Sequence, residues 1–471
     1  MNRVAASFAL ALACAACGSA PGSSSSLNGG DGGAQPVFGD SDAGTVRKGC
    51  ENLECQQHDR NTHVSGVVYD PKGTVPLYNV FVYVPNAPLD PITSGPVCTP
   101  CQAPASGKPL VGVATDAAGH FTLDDVPDGD DIPLVMQLGK WRRRITIPHV
   151  QIGKNNVLNT KLDPHDANVE AVLRLPKKQH EGSPDDNIPL IAVTTGAVDY
   201  GECFLMNTIG IDRSEFDQGG RVNIFDGVGG ELARPYAYGT SNELFGDAQK
   251  LNRYDTVFMS CEGAPYDRGT GYDNVKNYLD AGGRFFATHF GYNFFAGPAQ
   301  CAVPASDPSC KGPADFNSVA SWAANDGSTY YSPPYLVDQT FPKGQAFASW
   351  LQNVQGGTPG QVDLRQTRGD VDMVAPGKAT RWIYSTGPGD GNDVNAYSTL
   401  YLSFNTPVNQ PSDSQCGRAV FSDVHVAGTP SGFCADQDPD YAPNLAALEF
   451  LFFDLSSCVQ SESKAPIVPP N

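Results

Sequence analysis

GRFFATHFG, residues Gly283 to Gly291, is a short apolar run that ends in Thr288-His289 before a glycine. Consecutive hydrophobic side chains mark a strand covered on both faces, as in parallel sheets, because strict alternation arises where one face meets water. The theme recurs at IPLIAVTTG (Ile188 to Gly196), RVNIFDG (Arg221 to Gly227) and YDTVFMSCEG (Tyr254 to Gly263). Helical spacing over 200–209 and 272–281 falls between these runs, and strand alternating with helix implies a parallel sheet with right-handed crossovers. RWIYSTG (Arg381 to Gly387), TLYLSFN (Thr399 to Asn405) and GRAVFSDVHV (Gly417 to Val426) add strands. NLAALEFLFFDLSS (Asn444 to Ser457) has helical periodicity and closes the region.

Upstream the pattern changes. Over 62–163, VSGVVYD, PLYNVFVYVPN, HFTLDDVPDGD and IPLVMQLGKWRRRITI read as short alternating strands between turn residues, which predicts a small antiparallel β-sandwich. Residues 164–187 are polar and proline-punctuated, a linker. The expected fold is therefore all-β plus α/β: the sandwich, then a larger parallel-sheet, flavodoxin-like domain over 188–458 with a long irregular insertion at about 301–380, then a tail at 459–471. With 471 residues, two domains with separate cores are the starting expectation.

Met1 to Ala16 carries one arginine, an apolar run and then small residues before Cys17, the anatomy of a secretory signal over residues 1–17. Ala15 and Ala16 before Cys17 resemble a bacterial lipobox, which implies acylation of Cys17 and a membrane partner through the lipid. Cys14 stands where an aliphatic residue is usual, so plain cleavage and modification of Cys14 are the alternatives. Residues 18–61 form a tether, rich in Gly, Ser, Ala and Asp over 18–45, with a Cys-containing segment after it. The expected location is outside the cytoplasm: outer membrane, periplasm or cell surface. A net charge of −20 argues against nucleic-acid binding through phosphate neutralisation.

Of 13 cysteines, those at 50, 55, 98, 101, 203, 261, 301, 310, 416, 434 and 458 follow the signal, and export predicts that most are paired with one left over. Close spacing suggests Cys301 with Cys310 and Cys416 with Cys434. The four at 50, 55, 98 and 101 allow three connectivities, or, with His58, a zinc site of non-standard spacing. Cys261 is a candidate partner for Cys203 or Cys458. Lys140, Arg142 and Arg144 alternate along a strand, with Trp141 beside them, and together suggest a docking patch for an anionic glycan or envelope polymer; the competing reading is a solvated strand face.

The 62–163 region resembles a carboxypeptidase regulatory-like domain through Gly66, Val68, Asp70, Gly73, Pro76 and Leu77, then Thr115, Asp116, Gly119, Phe121, Leu123, Val126, Pro127 and Gly129. The resemblance implies a non-catalytic, transthyretin-type module, here with a Cys- and Pro-rich insertion from Ala87 to Pro109. The later region resembles the class I glutamine-amidotransferase-like superfamily, in its trehalose-utilisation (ThuA-like) branch. The match lies in Tyr254, Asp255 and Val257, the run Tyr278 to Arg284, Thr288-His289, and the strand ending at Asp423 and His425. Where true amidotransferases keep a cysteine nucleophile on a sharp turn that exposes it, this chain has His289, and Ala427 stands in place of a glutamate. Glutamine hydrolysis is therefore not expected; the expected function is binding of a cell-envelope or carbohydrate ligand by the two regions of a lipoprotein, and the alternative that the resemblance implies is a ThuA-like enzyme acting on a carbohydrate with His289 as acid or base.

Ligands of open parallel sheets bind beyond the carboxyl ends of the strands. Here those ends carry Thr194 and Thr195, Asp226, Cys261 and Glu262, His289, and Asp423 and His425. His289 is the candidate acid or base, with His425, Asp423, Cys261 and Glu262 assisting, and two histidines with Asp423 or Glu262 can hold a divalent metal. The competing reading makes each a hydrogen-bonded structural residue. Arg368-Gly369-Asp370 spells an adhesion tripeptide and Gly389 to Asp393 resembles a calcium loop, but both matches are too short to assign a function. No P-loop, G-x-S-x-G or H-E-x-x-H occurs. A serine at position 17 is expected to move the protein from the membrane to the soluble fraction of fractionated cells; persistence of Cys17→Ser in membranes at native abundance contradicts the anchor.

Overall fold

The computed structural model describes residues 49–98, 101, 103–158, 173–297, 313–322, 333–386, 398–426, 433–435 and 439–469. The signal segment, Cys17, the 18–45 tether, Cys301, Cys310 and the Gly389 to Asp393 loop lie outside them. The early strands are β1 (His63–Val67), β2 (Phe81–Pro85), β3 (Pro109–Ala114), β4 (His120–Leu123), β5 (Gly129–Leu138), β6 (Trp141–Val150) and β7 (Asn155–Val157). They form a four-stranded sheet in the order β3-β2-β5-β6 and a three-stranded sheet in the order β4-β1-β7. Gly139, in the two-residue β5–β6 turn, has φ +55°, and a Cβ there would stand 1.8 Å from the carbonyl oxygen of Ser456. Only glycine meets both demands.

The later strands are β8 (Ile191–Thr194), β9 (Val222–Asp226), β10 (Ala237–Thr240), β11 (Thr256–Met259), β12 (Arg284–Thr288), β13 (Ala320–Trp322), β14 (Tyr335–Val337), β15 (Gln361–Val362), β16 (Val371–Val374), β17 (Thr380–Ser385), β18 (Ser398–Thr406) and β19 (Gly417–Ser422). Ten of them make one mixed sheet, β10-β9-β8-β11-β12-β19-β18-β17-β14-β15. From β10 to β19 neighbours run parallel, and from β19 to β15 they run antiparallel. The molecule is thus mixed α/β with one large mixed sheet and smaller, mainly antiparallel ones.

This corrects two expectations. The sheet is not parallel throughout, and the stretch at 301–380 is not wholly irregular, because β14 and β15 complete the sheet and the helix Pro342–Gln355 packs Phe347, Trp350 and Leu351 inward. A third expectation fails as well: the main core of the early strands is not separate from that of the later ones. All described residues belong to one compact unit, Thr45–Asn471, and one apolar cluster runs from Val64 and Trp141 through Ile191 to Phe453. The joint is the helix Ala442–Ser456, in which every residue from Asn444 onward is buried. Apolar all round, such a helix is stable only when covered on all sides. Phe450 stacks on Tyr78 and Phe347, Trp141 meets Phe453 edge-on at 5.9 Å, and Trp350 Nε1 donates to the carbonyl of Pro76 at 2.6 Å.

Disulfides fasten the same joint. Cys98 pairs with Cys416 and Cys101 with Cys458, across 318 and 357 residues, while Cys203 pairs with Cys434 and Cys50 with Cys55. Such long-range links stabilise by roughly 2–5 kcal/mol each. The Cys416–Cys434 loop and the zinc cluster therefore do not form, and His58 instead contacts Asp128 at 2.9 Å. Cys261 is the free cysteine among the described residues, not a partner of Cys203 or Cys458. No helix among the described residues is long and apolar enough to cross a membrane.

The cationic stripe is consumed internally. Lys140 donates to the carbonyls of Thr93 and Gly95 and pairs with Asp255 at 2.6 Å, and Arg142 donates to the carbonyls of Asp185 and Asp90. Trp141 is fully buried, and only Arg144, 3.6 Å from Asp185, keeps substantial exposure. The expected face is therefore not a surface patch.

Two kinds of buried charge meet the closing helix. Asp454 contacts Lys343 at 2.8 Å and Arg418 at 2.9 Å, and both cations also reach Glu462. Burial pushes the Asp454 carboxyl up, but the two cations outweigh it and hold it below its usual range. Glu449 lacks such a partner, and burial, with Asp70 nearby, raises it well above 4.5. A folded-state value above the unfolded one means stability that is present at acid pH and lost as pH rises through the folded value. Glu449→Gln removes that loss, so its melting temperature should gain on wild type between about pH 5 and pH 8. A constant difference across that range contradicts the assignment.

Candidate functional site

The chain leaves β8 for β9 and β10 on one side and returns to β11 on the other, so the sheet changes winding direction between β8 and β11. Such a switch point opens a crevice at the carboxyl ends. Register then sets the cast. Met259 lies opposite Ala287, and Ala287 opposite Phe421, so two residues farther along Cys261, His289 and Asp423 stand level beyond three adjacent parallel strands. Gly196 closes the β8 side, where a Cβ would come within 2.1 Å of the Cys261 carbonyl oxygen.

His289 opens the turn after β12 with φ +38°, a left-handed conformation that costs a non-glycine residue about 1–3 kcal/mol and gathers at functional sites. Its Nδ1 lies 3.3 Å from Cys261 Sγ and its Nε2 lies 3.5 Å from Asp370 Oδ2. The His425 ring stands edge-on, with centroids 4.7 Å apart. Arg368 Nε donates to His425 Nε2 at 3.2 Å, leaving Nδ1 as the protonated nitrogen that donates to Asp199 Oδ1 at 3.1 Å. The backbone N–H groups of Asp370 and Arg368 donate to the side chain and the carbonyl of Asp423, at 2.6 and 2.8 Å.

Desolvation governs the protonation states. Burial, then His425 and Arg368, drive His289 well below 6.5, so it is neutral. Burial, then the Asp199 carboxylate, push the Cys261 thiol up. Burial also raises Asp423 to about 6 against opposing hydrogen bonds and cations, which makes it a carboxyl that exchanges a proton near neutrality. Burial thus keeps the imidazole of His289 and the thiol of Cys261 in their neutral forms, types of group able to pass protons or to ligate a metal.

Of the residues expected at this site, Cys261, His289, His425 and Asp423 come together. Glu262 does not join them: its carboxylate is bound by Arg268. Asp226 pairs with Arg234 at 2.8 Å, and the Thr195 hydroxyl accepts from Gly227 N–H. The side chain of His289 is not exposed by its turn. It is 2 % exposed, and Cys261, His425, Asp370 and Asp423 are 0–1 % exposed, so the centre is closed.

Asp199, Arg368 and Asp370 escaped the sequence reading. Asp199 follows the end of β8 by a short loop, the position that marked the other candidates, so its signal was present. The tripeptide Arg368 to Asp370 reaches the site because Thr367 bridges to Val424 beside the end of β19, a long-range pairing without a local signature. A cavity of about 360 Å³ lies elsewhere, between Phe81, Lys140, Asp255 and the Cys101–Cys458 link.

No family model matches the chain, and no curated protein matches it. Among solved structures, a ThuA-like protein from Bacteroides uniformis aligns with 56% of this chain and 89% of its own, at 8% identity and a TM-score of 0.28. A cytoplasmic protein from Salmonella typhimurium aligns over 58% and 100% at 12% identity and 0.28, and a β-galactosidase from Rahnella sp. over 57% and 32% at 12% and 0.25. At that level of likeness the side chains, not the neighbours, carry the chemistry.

Because the folded-state value of His289 lies below 6.5, the unfolded chain takes up its proton first on acidification, and stability present at neutral pH is lost as pH falls. Wild type should therefore lose stability relative to His289→Gln below about pH 6.5, by up to about 1.4 kcal/mol per pH unit. Denaturant unfolding of both proteins from pH 7.5 to about 5 measures this, and parallel curves contradict a buried neutral imidazole.

Proposed function

We propose that the protein is an exported, lipid-anchored envelope protein that acts on a carbohydrate at the carboxyl ends of β11, β12 and β19, with His289 as acid or base. The observation that carries this reading is the meeting of a thiol, two imidazoles and two carboxylates from separate strands and loops: Cys261–His289 at 3.3 Å, His289–Asp370 at 3.5 Å and His425–Asp199 at 3.1 Å. His289 Nε2 makes no hydrogen bond, so the ring has a nitrogen available for proton transfer beside Asp370. Asp199 orients His425, and Asp423 fixes the backbone of the Arg368 to Asp370 loop. The ThuA-like resemblance of the strand ends supports a carbohydrate as the substrate class. The early strands, with their carboxypeptidase regulatory-like pattern, serve as a non-catalytic support against which the closing helix packs.

A second reading is favoured by the closure of the centre. With every member of the centre buried, the protein binds a glycan or an envelope polymer without turning it over, and is a binding lipoprotein. One experiment separates the two. Wild type and His289→Gln are offered a panel of envelope glycans and disaccharides, with binding and turnover both recorded and circular dichroism confirming the fold. Turnover by wild type that falls about 10²- to 10⁴-fold in the variant supports acid–base catalysis. Binding without turnover, weakened by the substitution, supports the second reading. Equal behaviour of the two proteins removes His289 from the function.

A further inference from the structure

We propose that Cys261, His289 and His425 hold a divalent transition metal, and that zinc is the ion best suited to them. The inference deepens the reading of the His289 crevice and shares its residues. One ligand atom from each side chain lies within 4.8 Å of the other two, and all three are buried. In a tetrahedral site with usual zinc–sulfur and zinc–nitrogen bonds, sulfur and nitrogen are about 3.6 Å apart. Cys261 Sγ and His289 Nδ1, at 3.3 Å, already stand near that separation. Bringing a nitrogen of His425, within 4.8 Å of the other two ligand atoms, into the same sphere takes closure of up to about 1 Å.

The outer contacts point the same way. A metal-bound histidine normally gives its other nitrogen to a carboxylate, which fixes the ring and raises its basicity. His425 has that partner, its Nδ1 standing 3.1 Å from Asp199, while His289 Nε2 stands 3.5 Å from Asp370 without a hydrogen bond, a short movement from the same arrangement. One thiolate and two neutral imidazoles form a borderline-soft donor set, and three protein ligands leave a fourth position for water or substrate, as in catalytic zinc sites. On binding, the Cys261 S–H bond breaks as the sulfur–metal bond forms, the proton leaves to solvent, and each imidazole lends a lone pair with no change of oxidation state. Arg368 Nε, which now donates to His425 Nε2 at 3.2 Å, must withdraw. Its positive charge opposes the cation, and the carboxylates of Asp199, Asp370 and Asp423 around the centre counter it. Without a metal, the same Cys261–His289 contact is a buried thiol–imidazole hydrogen bond, which the experiment below distinguishes.

The full chain carrying Cys17→Ser, purified without reductant, is stripped with a chelator and titrated with zinc and, separately, with cobalt(II). Expected are one zinc per chain and a thiolate-to-cobalt charge-transfer band in the near ultraviolet that Cys261→Ser abolishes. Asp199→Asn should keep the band and weaken zinc about 10- to 100-fold. Zinc bound equally by wild type, Cys261→Ser and His425→Gln, or no stoichiometric zinc on a chain with a native dichroism spectrum, overturns the site. If Cys261→Ser fails to fold, His425→Gln and Asp199→Asn decide, since unchanged affinity in both is equally fatal. Glycan binding and turnover are followed on the chelated protein in parallel. Activity that survives without metal keeps the acid–base reading when the metal fails, and stoichiometric zinc on a chain indifferent to every glycan keeps the metal site when that reading fails.

Discussion

The parallel pairing of β11 with β12, Thr256 against Arg284 through Met259 against Ala287, is the constraint from which the rest follows. It sets Cys261 level with His289, and the next pairing, β12 with β19, brings Asp423 and His425 to the same edge. A slip of one residue in either pair would turn every side chain to the opposite face. Burial of Val257, Phe258, Phe285, Phe286, Ala419 and Val420 holds the register, because a slipped strand would trade these contacts for voids. The chemistry at the crevice is thus stabilised from below, by strands that themselves take no part in it.

The molecule treats its buried charges in two ways. Around the closing helix, Lys343, Arg418, Asp454 and Glu462 form a closed set of ion pairs, which is the condition under which charges are tolerated away from water. At the crevice, His289 Nε2, Asp423 Oδ1 and Asp199 Oδ2 make no hydrogen bond, although an orphaned buried polar atom costs about 1–3 kcal/mol. The left-handed backbone of His289 adds to that cost, although orphaned polar atoms occur elsewhere too, on Arg418, Asp454 and Glu462 among others.

Much of the sheet could be read from local pattern. The runs ending at Thr195, Asp226, Cys261, His289 and His425 each announced a strand covered on both faces, and the structure has β8, β9, β11, β12 and β19 there. What lay beyond local pattern was set by distant contacts. Trp141 was expected beside a surface patch because its strand alternates, but the closing helix covers it. The cysteines at 98 and 101 looked like a local pair with 50 and 55, yet pairing partners depend on which loops meet in space, and theirs lie more than 300 residues away. Arg368 and Asp370 had no periodicity or motif of chemical meaning, and only the bridge beside β19 delivers them to His425 and His289. Two separate cores were expected from length alone; one helix apolar on every face was the sign that the layers share a core.

The chemistry of the crevice rests on a closed centre in which His289 is neutral and His425 is held as one tautomer by Asp199 and Arg368. Nitrogen-15 NMR of the imidazole rings across a pH titration tests it most directly. Expected are a His289 ring that remains neutral through pH 6.5 and a His425 ring protonated on Nδ1. A His289 resonance that titrates near 6.5 with rapid solvent exchange, or a His425 ring carrying its proton on Nε2, would contradict it.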